Sequence, residues 1–479
     1  MRKIVPALVL TAALFLSMLH LSAQDKWDLR RCVDYAVANN INIKQTDIQA
    51  KIAALTLEQS KLQNWPTANF TNSYGFQFGR SIDPTSNGFI NQQISSSKLG
   101  VTSNVTLFNF FSLKNTIAVN EFELKAQNAG VQKLRDDISL SVAVAYLQAL
   151  LSKEQMNISV VQLNQTKEQL TNTQKLVDAG SLPELNAAEL EAQLARDSSS
   201  YITALTTYYG NLLSLKVWMN LDPALPFELE TPPVDMIPIE AFAELQPDFV
   251  YKLALQNMPI QKVNQFRLES LEKFQKASRA KMYPSIRAFG QLNSSFSSYQ
   301  QQLAGYSAPS VKPIGYTGTG SATNYNVFTQ VQVPIYENVG FFQQMNNNFN
   351  QSIGVSLNVP IFNNGQAKTA WQRSKLNYQN QQLQVDRDNQ TLKQDIYKAY
   401  NDATAAFQRY QASIKSVSTA EYSYELTKKR YEAGLLRTID LITNQSNLFR
   451  ARLEKISNQF DYVFRMKLLE FYKGQGLKL

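Results

Sequence analysis

The sequence predicts a mainly α-helical fold with β-strands, built as two tandem repeats of helix, β-hairpin and long helical hairpin. Three observations lead to this prediction. First, residues 354–434 repeat residues 100–180 at a constant offset of 254 positions, without insertion or deletion. Second, apolar and polar residues alternate strictly ahead of each long segment, which is typical of half-buried strands. Third, the segment from Gln366 to Ala433 contains neither Gly nor Pro. As a helix it would be about 100 Å long.

The N-terminus has the pattern of a secretory signal. Arg2 and Lys3 precede an apolar run that ends in small residues, so we predict a cleaved signal peptide at residues 1–23. The single cysteine, Cys32, lies in a predicted helix rather than directly behind the signal. We therefore expect neither lipidation nor an intrachain disulfide.

Composition argues against catalysis and nucleic-acid binding. The net charge of +9 is modest for 479 residues and suggests no nucleic-acid partner. The only histidine, His20, lies in the signal, so the mature chain lacks His-based triads and His/Cys metal sites. We predict a protein that is not an enzyme and has no cofactor. After the signal the sequence contains no run of about 20 apolar residues, so we predict no transmembrane helix.

The first repeat is placed at residues 24–222. It begins with helix over residues 28–64, which the pair Asn39-Asn40 should interrupt. A β-hairpin is predicted at about 67–108, starting after Pro66.

Turn signals at Asp83-Pro84 and Asn87-Gly88 mark the end of that hairpin. The long helix that follows is predicted to end at a tip near Gly180, because Gly suits the left-handed position after a helix. A return helix completes the hairpin.

A proline-rich linker, residues 223–247, separates this repeat from the second one, residues 248–479. The second β-hairpin, about 285–362, carries a 36-residue insertion, because the repeat offset rises from 218 to 254 within it. An alternating segment in the insertion, Val327 to Ile335, either lengthens the hairpin or caps it. The second tip lies near Gly434.

Apolar residues in the second long helix recur at steps of four and three, which predicts lengthwise packing on other helices. The residues of this predicted seam are Ile396, Tyr400, Ala403, Phe407, Tyr410, Ile414 and Val417. The first copy places Lys153 in the equivalent seam.

Four amphipathic strands per chain are too few for a membrane barrel, since such barrels begin at about 8 strands. Three chains would share 12 strands around a water-filled interior, whereas two would give about 8 strands and a filled interior. If the barrel serves as a conduit for solutes, an assembly of three chains is favoured, because its interior is open to water. In such a barrel the aromatic residues of the first strand should face the membrane rather than stack on a ligand: Phe70, Tyr74, Phe76 and Phe78.

The stretch from Arg430 to Ile442, RYEAGLLRTIDLI, resembles the periplasmic-tip motif of the TolC-like outer-membrane efflux family. The strand-to-helix junction VPIFN at residues 359–363 and the duplicated architecture are similar to that family as well. The resemblance implies a homotrimer whose 12-stranded outer-membrane β-barrel continues as a periplasmic α-helical tunnel. It also implies a periplasmic adaptor and an inner-membrane transporter of RND or ABC type as partners, with this chain as the passive exit duct.

The resemblance also implies residues at the periplasmic entrance. Tyr431, Gly434 and Asp440 match tip residues of the family, in which the Asp charges and narrows the entrance. Departures from the family pattern argue against the same salt-bridge latch. The family's second Asp falls on Thr443, its gating Arg falls on Leu436 beside Arg437, and its gating Asp in the first copy falls on Asn186.

The tips themselves are candidate adaptor-docking surfaces, formed by Gly180, Ser181, Gly434, Leu435 and Leu436. An exposed leucine pair would be an apolar anchor for a partner. Alternatively, both leucines close the two helices over their own seam. Asp440 has an alternative role too, since a carboxylate in the first turn of a helix is stabilised by the helix dipole alone.

Three classes of function remain open: an exit duct for small molecules, an exit channel of a type I polypeptide secretion system, and a periplasmic coiled-coil scaffold without transport. The first two share every feature described above. A scaffold would not need strands with one continuous apolar face.

Overall fold

The computed structural model describes residues 26–82, 87–91, 93–230, 240, 242–317 and 325–474. The predicted signal peptide, the Asp83-Pro84 turn signal and the linker prolines at 232, 233 and 238 lie outside these residues. The described helices are α1 Leu29–Asn39, α2 Ile41–Leu62, α3 Ser112–Asp178, α4 Glu184–Met219, α5 Pro247–Asn257, α6 Pro259–Ala280, α7 Phe341–Asn347, α8 Gln366–Glu432 and α9 Thr438–Tyr472.

The described part of the chain also contains ten strands: β1 Thr67–Gln77, β2 Arg80–Ile82, β3 Phe89–Asn91, β4 Ile94–Phe108, β5 Ser285–Ser297, β6 Gln301–Tyr306, β7 Ser310–Thr317, β8 Tyr325–Val331, β9 Pro334–Asn338 and β10 Asn350–Asn358. The mainly α-helical fold with two strand-containing repeats is therefore confirmed.

The chain forms two compact units. The helical unit comprises the described residues within Met1–Leu55, Glu121–Ser270 and Asn377–Leu479, and the strand unit comprises those within Thr56–Asn120 and Leu271–Leu376. Each unit takes segments from both repeats, because each repeat supplies strands to one unit and a helical hairpin to the other.

The predicted break between the first two helices lies at Asn40. Its amide nitrogen donates to the Trp218 carbonyl at 3.0 Å, and its amide oxygen accepts the Asn42 N–H at 2.9 Å. The side chain is 5% exposed. The side chain of Asn40 therefore caps the start of α2 and attaches it to the end of α4.

Buried residues along the two long helices recur every seven positions. In α3 they are Val131, Ile138, Ala145, Ser152, Ser159, Thr166 and Thr173, and in α8 they are Leu392, Ala399, Ala406 and Ser413, followed after two such intervals by Thr427. Most of these side chains are small, which lets neighbouring helices approach closely. Several of the hydroxyls donate to their own helix, as Ser159 does to the Gln155 carbonyl at 2.8 Å.

The predicted seam of α8 is only partly correct. Ile396, Ala403 and Val417 are buried, but Phe407 and Ile414 are 43% and 39% exposed. The small residues one position earlier, including Ala406 and Ser413, occupy the buried stripe instead. The larger side chains lie beside that stripe because the space between closely packed helices does not hold them.

Equivalent tyrosines in the two repeats, Tyr146 and Tyr400, form hydrogen bonds with residues near the two ends of the predicted linker. The hydroxyl of Tyr146, a residue 2% exposed, donates to the Glu230 carbonyl at 2.7 Å. In the second repeat, the Tyr400 hydroxyl accepts from the Gln246 amide at 3.2 Å. Burial raises the pKa of the Tyr146 hydroxyl well above its usual range, so the hydroxyl remains a donor at physiological pH.

The strand unit contains a four-stranded antiparallel sheet in the order β1-β4-β5-β10. The register of the four strands places their alternating apolar residues on one side and their polar residues on the other, so the sheet has one mainly apolar and one mainly polar face. The apolar face carries Phe70, Tyr74, Phe76, Val101, Val105, Ile286, Leu292, Ile353, Val355 and Leu357. The polar face carries Thr71, Ser73, Lys98, Thr102, Asn104, Arg287, Gln291, Asn293, Ser352 and Ser356.

The end of the last strand differs from the sequence pattern. β10 ends at Asn358, so Val359 and Ile361 follow the strand although their alternation predicted that they belong to it. Ile361 is 94% exposed. Pro360 explains the early end, because it lacks the N–H that a strand ladder requires.

The insertion forms two nested two-stranded ladders. β6 pairs with β9, and β7 pairs with β8 inside that pair. The segment Val327 to Ile335 thus supplies parts of two strands, β8 and β9. Helix α7 follows, and the buried Gln344 side chain holds it by accepting the Ser297 N–H and donating to the carbonyls of Ser297 and Val339.

Candidate functional site

The two turns that join the long helices to their return helices have the same backbone geometry. Gly180 has a φ of +72° and Gly434 a φ of +73°. The next N–H in each turn donates to the carbonyl five residues earlier, at 2.8 Å for Ser181 and 2.9 Å for Leu435. This is a Schellman motif, in which a glycine takes the left-handed position and satisfies the last carbonyls of the helix.

Large apolar side chains are exposed at both tips. Leu435 is 68% exposed, and Ile439 one turn later is 41% exposed. In the first tip Leu185 is 65% exposed, whereas Ser181 replaces the leucine. Leu435 therefore does not close the seam between its own helices, while Leu436 is half-buried.

Tyr431 connects the two helical hairpins. Its hydroxyl lies 3.4 Å from Thr173 Oγ1 in the first repeat and 3.3 Å from Thr438 Oγ1 in the second. Thr173 and Thr438 are 3% and 0% exposed. The ring packs against a small apolar cluster that contains Tyr424 and Leu441.

Asp440 forms an ion pair with Arg437, three residues earlier. Arg437 Nε lies 3.2 Å from Asp440 Oδ2. The hydrogen bond from Arg437 lowers the pKa of the Asp440 carboxyl, and the pKa of Arg437 is raised in return. Both side chains are solvent-accessible, so the pair is screened by water and salt.

The two remaining predicted entrance residues, Thr443 in the second repeat and Asn186 in the first, make hydrogen bonds to backbone carbonyls. The exposed Thr443 hydroxyl donates to the Ile439 carbonyl at 2.7 Å. Asn186 is half-buried, and its N–H donates to the Pro183 carbonyl at 3.1 Å.

A buried polar cluster joins the hairpins above the tips, and we did not predict it. Thr166 donates to Asp197 at 2.6 Å, and Gln193 donates to the same carboxylate at 2.8 Å. Gln445 of the second repeat donates to Thr166 at 3.3 Å, and its own amide oxygen is buried without a hydrogen-bond partner.

A second cross-repeat bond follows nearby, from Gln169 to the Tyr424 hydroxyl at 3.0 Å. The signal for these contacts was the row of hydroxyl residues at seven-residue intervals in α3.

Within the described residues, no helix combines the length and hydropathy of a membrane-crossing segment.

The model of the outer membrane efflux protein family matches residues 36–220 and 250–465. The chain belongs to this family. Its repeats, strand sheet and paired helical hairpins are those of an outer-membrane efflux channel, and the family's location is the outer membrane. The two matched segments leave out residues 221–249, where the sequence predicts a linker.

Individual relatives support the same assignment. The outer membrane efflux protein BepC of Brucella suis is 19% identical over 368 residues, which is 76% of this chain and 69% of BepC. The alkaline protease secretion protein AprF of Pseudomonas aeruginosa is 27% identical over 134 residues, 27% of this chain, and the match spans only 28% of AprF. A crystal structure of CusC has a TM-score of 0.74 at 13% identity and covers 94% of this chain and 92% of that one.

Proposed function

We propose that this efflux-family chain is the passive outer-membrane exit duct of a tripartite system that exports small molecules. The observation that carries this proposal is the four-stranded sheet with one apolar and one polar face. An exposed apolar face of this size needs lipid. A sheet with two free edges, β1 and β10, needs neighbours, and three chains would close 12 strands around water.

Small-molecule efflux is favoured over polypeptide secretion by the extent of the matches. The named efflux protein, BepC, aligns with about three quarters of the chain, whereas AprF, named for protease secretion, aligns with about one quarter. Secretion of a polypeptide remains the second candidate because AprF is the relative with the higher identity. Family membership argues against a scaffold without transport.

Deletion of the gene tests this proposal. The deletion strain should become sensitive to toxic small molecules and recover with the intact gene, while the set of secreted proteins stays unchanged. If the deletion removed a secreted protein from the medium and left drug sensitivity unaltered, the type I secretion channel would be the correct function.

Assembly provides the first quantitative prediction. In mild detergent the purified protein should have the mass of three chains, since four strands cannot close a barrel alone. Light scattering coupled to size-exclusion chromatography measures this mass. A monomer under non-dissociating conditions would contradict the shared barrel.

The tips are proposed to dock a periplasmic adaptor, which in turn contacts an inner-membrane transporter of RND or ABC type. Gly434→Val should disfavour the left-handed conformation by about 1 kcal/mol or more. It should displace Leu435 and lower both adaptor crosslinking and drug resistance, with trimer assembly intact.

Gly210→Val is the matched control for that variant. Gly210 lies inside α4, and a Cβ atom there would meet nothing within 4 Å outside the helix's own backbone. This control should leave crosslinking unchanged. Equal crosslinking by the Gly434→Val variant and wild type would argue against docking at this tip.

We also propose that Asp440 and Arg437 set the charge of the periplasmic entrance. Three copies of each would surround one opening in a trimer, and each pair is close to neutral. Asp440→Asn should leave Arg437 uncompensated and shift ion selectivity toward anions, more strongly at low salt because the Debye length is then longer. Arg437→Gln should shift it the opposite way.

Reversal potentials in planar bilayers under a KCl gradient measure both shifts. If neither variant differs from wild type at low ionic strength, Asp440 only stabilises the first turn of α9 through the helix dipole.

A further inference from the structure

The four-stranded sheet carries charge of one sign only. Among its residues, Lys98 on β4 and Arg287 on β5 are the only ionisable groups that are charged at neutral pH; β1 and β10 contain none, and no strand of this sheet has Asp or Glu. Every other polar residue of the sheet is a neutral hydroxyl, amide or phenol.

Both cations lie on the polar face. Lys98 pairs across the ladder with Ser73 on one side and Ser295 on the other. Arg287 pairs with Thr106 and Ser356. Because side chains that are directly opposite point to the same face, each cation has two neutral hydroxyl residues beside it.

Neither cation is neutralised within the described part of the chain. Both side chains are exposed, and no ion pair joins either of them to a described carboxylate. This differs from the tip, where Arg437 and Asp440 pair with each other. The charge of the sheet is therefore available to solutes that pass along its polar face.

We infer that the strand-built part of the conduit favours anions, so that the exported compounds are organic anions. The inference rests on the proposed function, in which the apolar face meets lipid and the polar face lines the water-filled interior. Three chains would then place six fixed positive charges in two rings, one of Lys98 and one of Arg287.

The spacing of the rings sets how the field depends on salt. Eight residues of β5 separate Arg287 from Ser295, the partner of Lys98, which corresponds to about 27 Å along the strand. The Debye length is about 10 Å at 0.1 M salt and about 30 Å at 0.01 M. The two rings therefore act separately at high salt and as one continuous positive lining at low salt.

The expected size of the effect follows from Boltzmann statistics. A lining potential of about 1 kT raises the anion concentration and lowers the cation concentration by the same factor, which changes their ratio by about sevenfold. Potentials of this order are usual for clefts lined by one sign of charge.

The test compares wild type with a neutral double variant, Lys98→Gln with Arg287→Gln, as purified full-length protein in planar bilayers. At 10 mM KCl the permeability ratio of chloride to potassium should fall by about sevenfold in the neutral variant. The difference should shrink at 1 M KCl, where the Debye length is about 3 Å.

A charge-retaining swap, Lys98→Arg with Arg287→Lys, is the matched control, and its ratio should equal that of wild type. In cells that depend on this duct, the neutral variant should lose resistance to deoxycholate, an anion, more than to ethidium, a cation. If the neutral variant conducts with an unchanged permeability ratio, the inference of anion preference fails, but the proposed function as an exit duct is not contradicted. If wild-type protein does not conduct at all, the proposed function fails.

Discussion

A Lys467→Met variant is expected to lose about 3–5 kcal/mol of unfolding free energy. Lys467 Nζ lies 2.8 Å from Glu470 Oε2, and the two side chains are 9% and 3% exposed. The other oxygen of Glu470 accepts the Glu240 N–H at 2.8 Å, so the carboxylate cannot turn toward solvent without breaking this bond. Removing the lysine would leave a buried charge uncompensated.

Denaturant unfolding followed by far-UV circular dichroism measures the loss. Arg409→Met is the matched control, because Arg409 also pairs with a carboxylate, Asp461, but is 53% exposed. Its cost should stay below about 1 kcal/mol. Equal costs for the two variants would show that the buried pair does not hold the end of α9 in place.

Gly354→Val is expected to destabilise the strand unit by about 1–3 kcal/mol through overpacking. A Cβ atom on Gly354 would lie 2.6 Å from Phe289 Cζ and 3.0 Å from Phe289 Cε1. The ring of Phe289 covers the glycine on the polar face of the sheet, as aromatic residues often do beside a glycine in a strand.

The temperature at which the proposed trimer dissociates in detergent measures this effect. Adding Phe289→Ala to Gly354→Val should recover stability, which is a positive coupling between residues in contact. Gly290→Val is the control, because a Cβ atom there would meet nothing within 4 Å. A normal dissociation temperature for the Gly354→Val variant would mean that the ring is free to move aside.

Element type and order were predictable because each local signal agreed with the fold. The Gly180 and Gly434 turns and the Asn39-Asn40 break appear where the sequence places them, and so do the alternating strands except for the early end of β10. Alternation leaves one register that keeps most apolar residues on one face, with Phe289 as an exception, so the pattern also predicts the two faces of the sheet.

Which residues fill the helix seam was less predictable. Hydrophobicity favoured Phe407 and Ile414, but Ala406 and Ser413 are buried. Close approach of helices selects small residues, and this depends on the distance between partners rather than on the apolar character of one helix. How the inserted strands pair was left open for a related reason, since a polar Gly- and Ser-rich segment does not specify its register.

At the tip the sequence indicated the residues but not their contacts. Arg437 and Asp440 are three positions apart in a helical turn, a spacing at which ion pairs form, so the pair was within reach of sequence reasoning. The contact of Tyr431 with Thr173 was not, because 258 positions separate them and only packing of the two repeats brings them together.

Both long helices contain 67 residues, and this equality limits how such a protein can change in length. One inserted residue would rotate every later position of the buried stripe by about 100° and turn Thr166 or Ser413 toward solvent. Seven residues would restore the facing and lengthen the rod by about 10 Å. Viable length variants should therefore differ by whole heptads, added to both copies and to their return helices together.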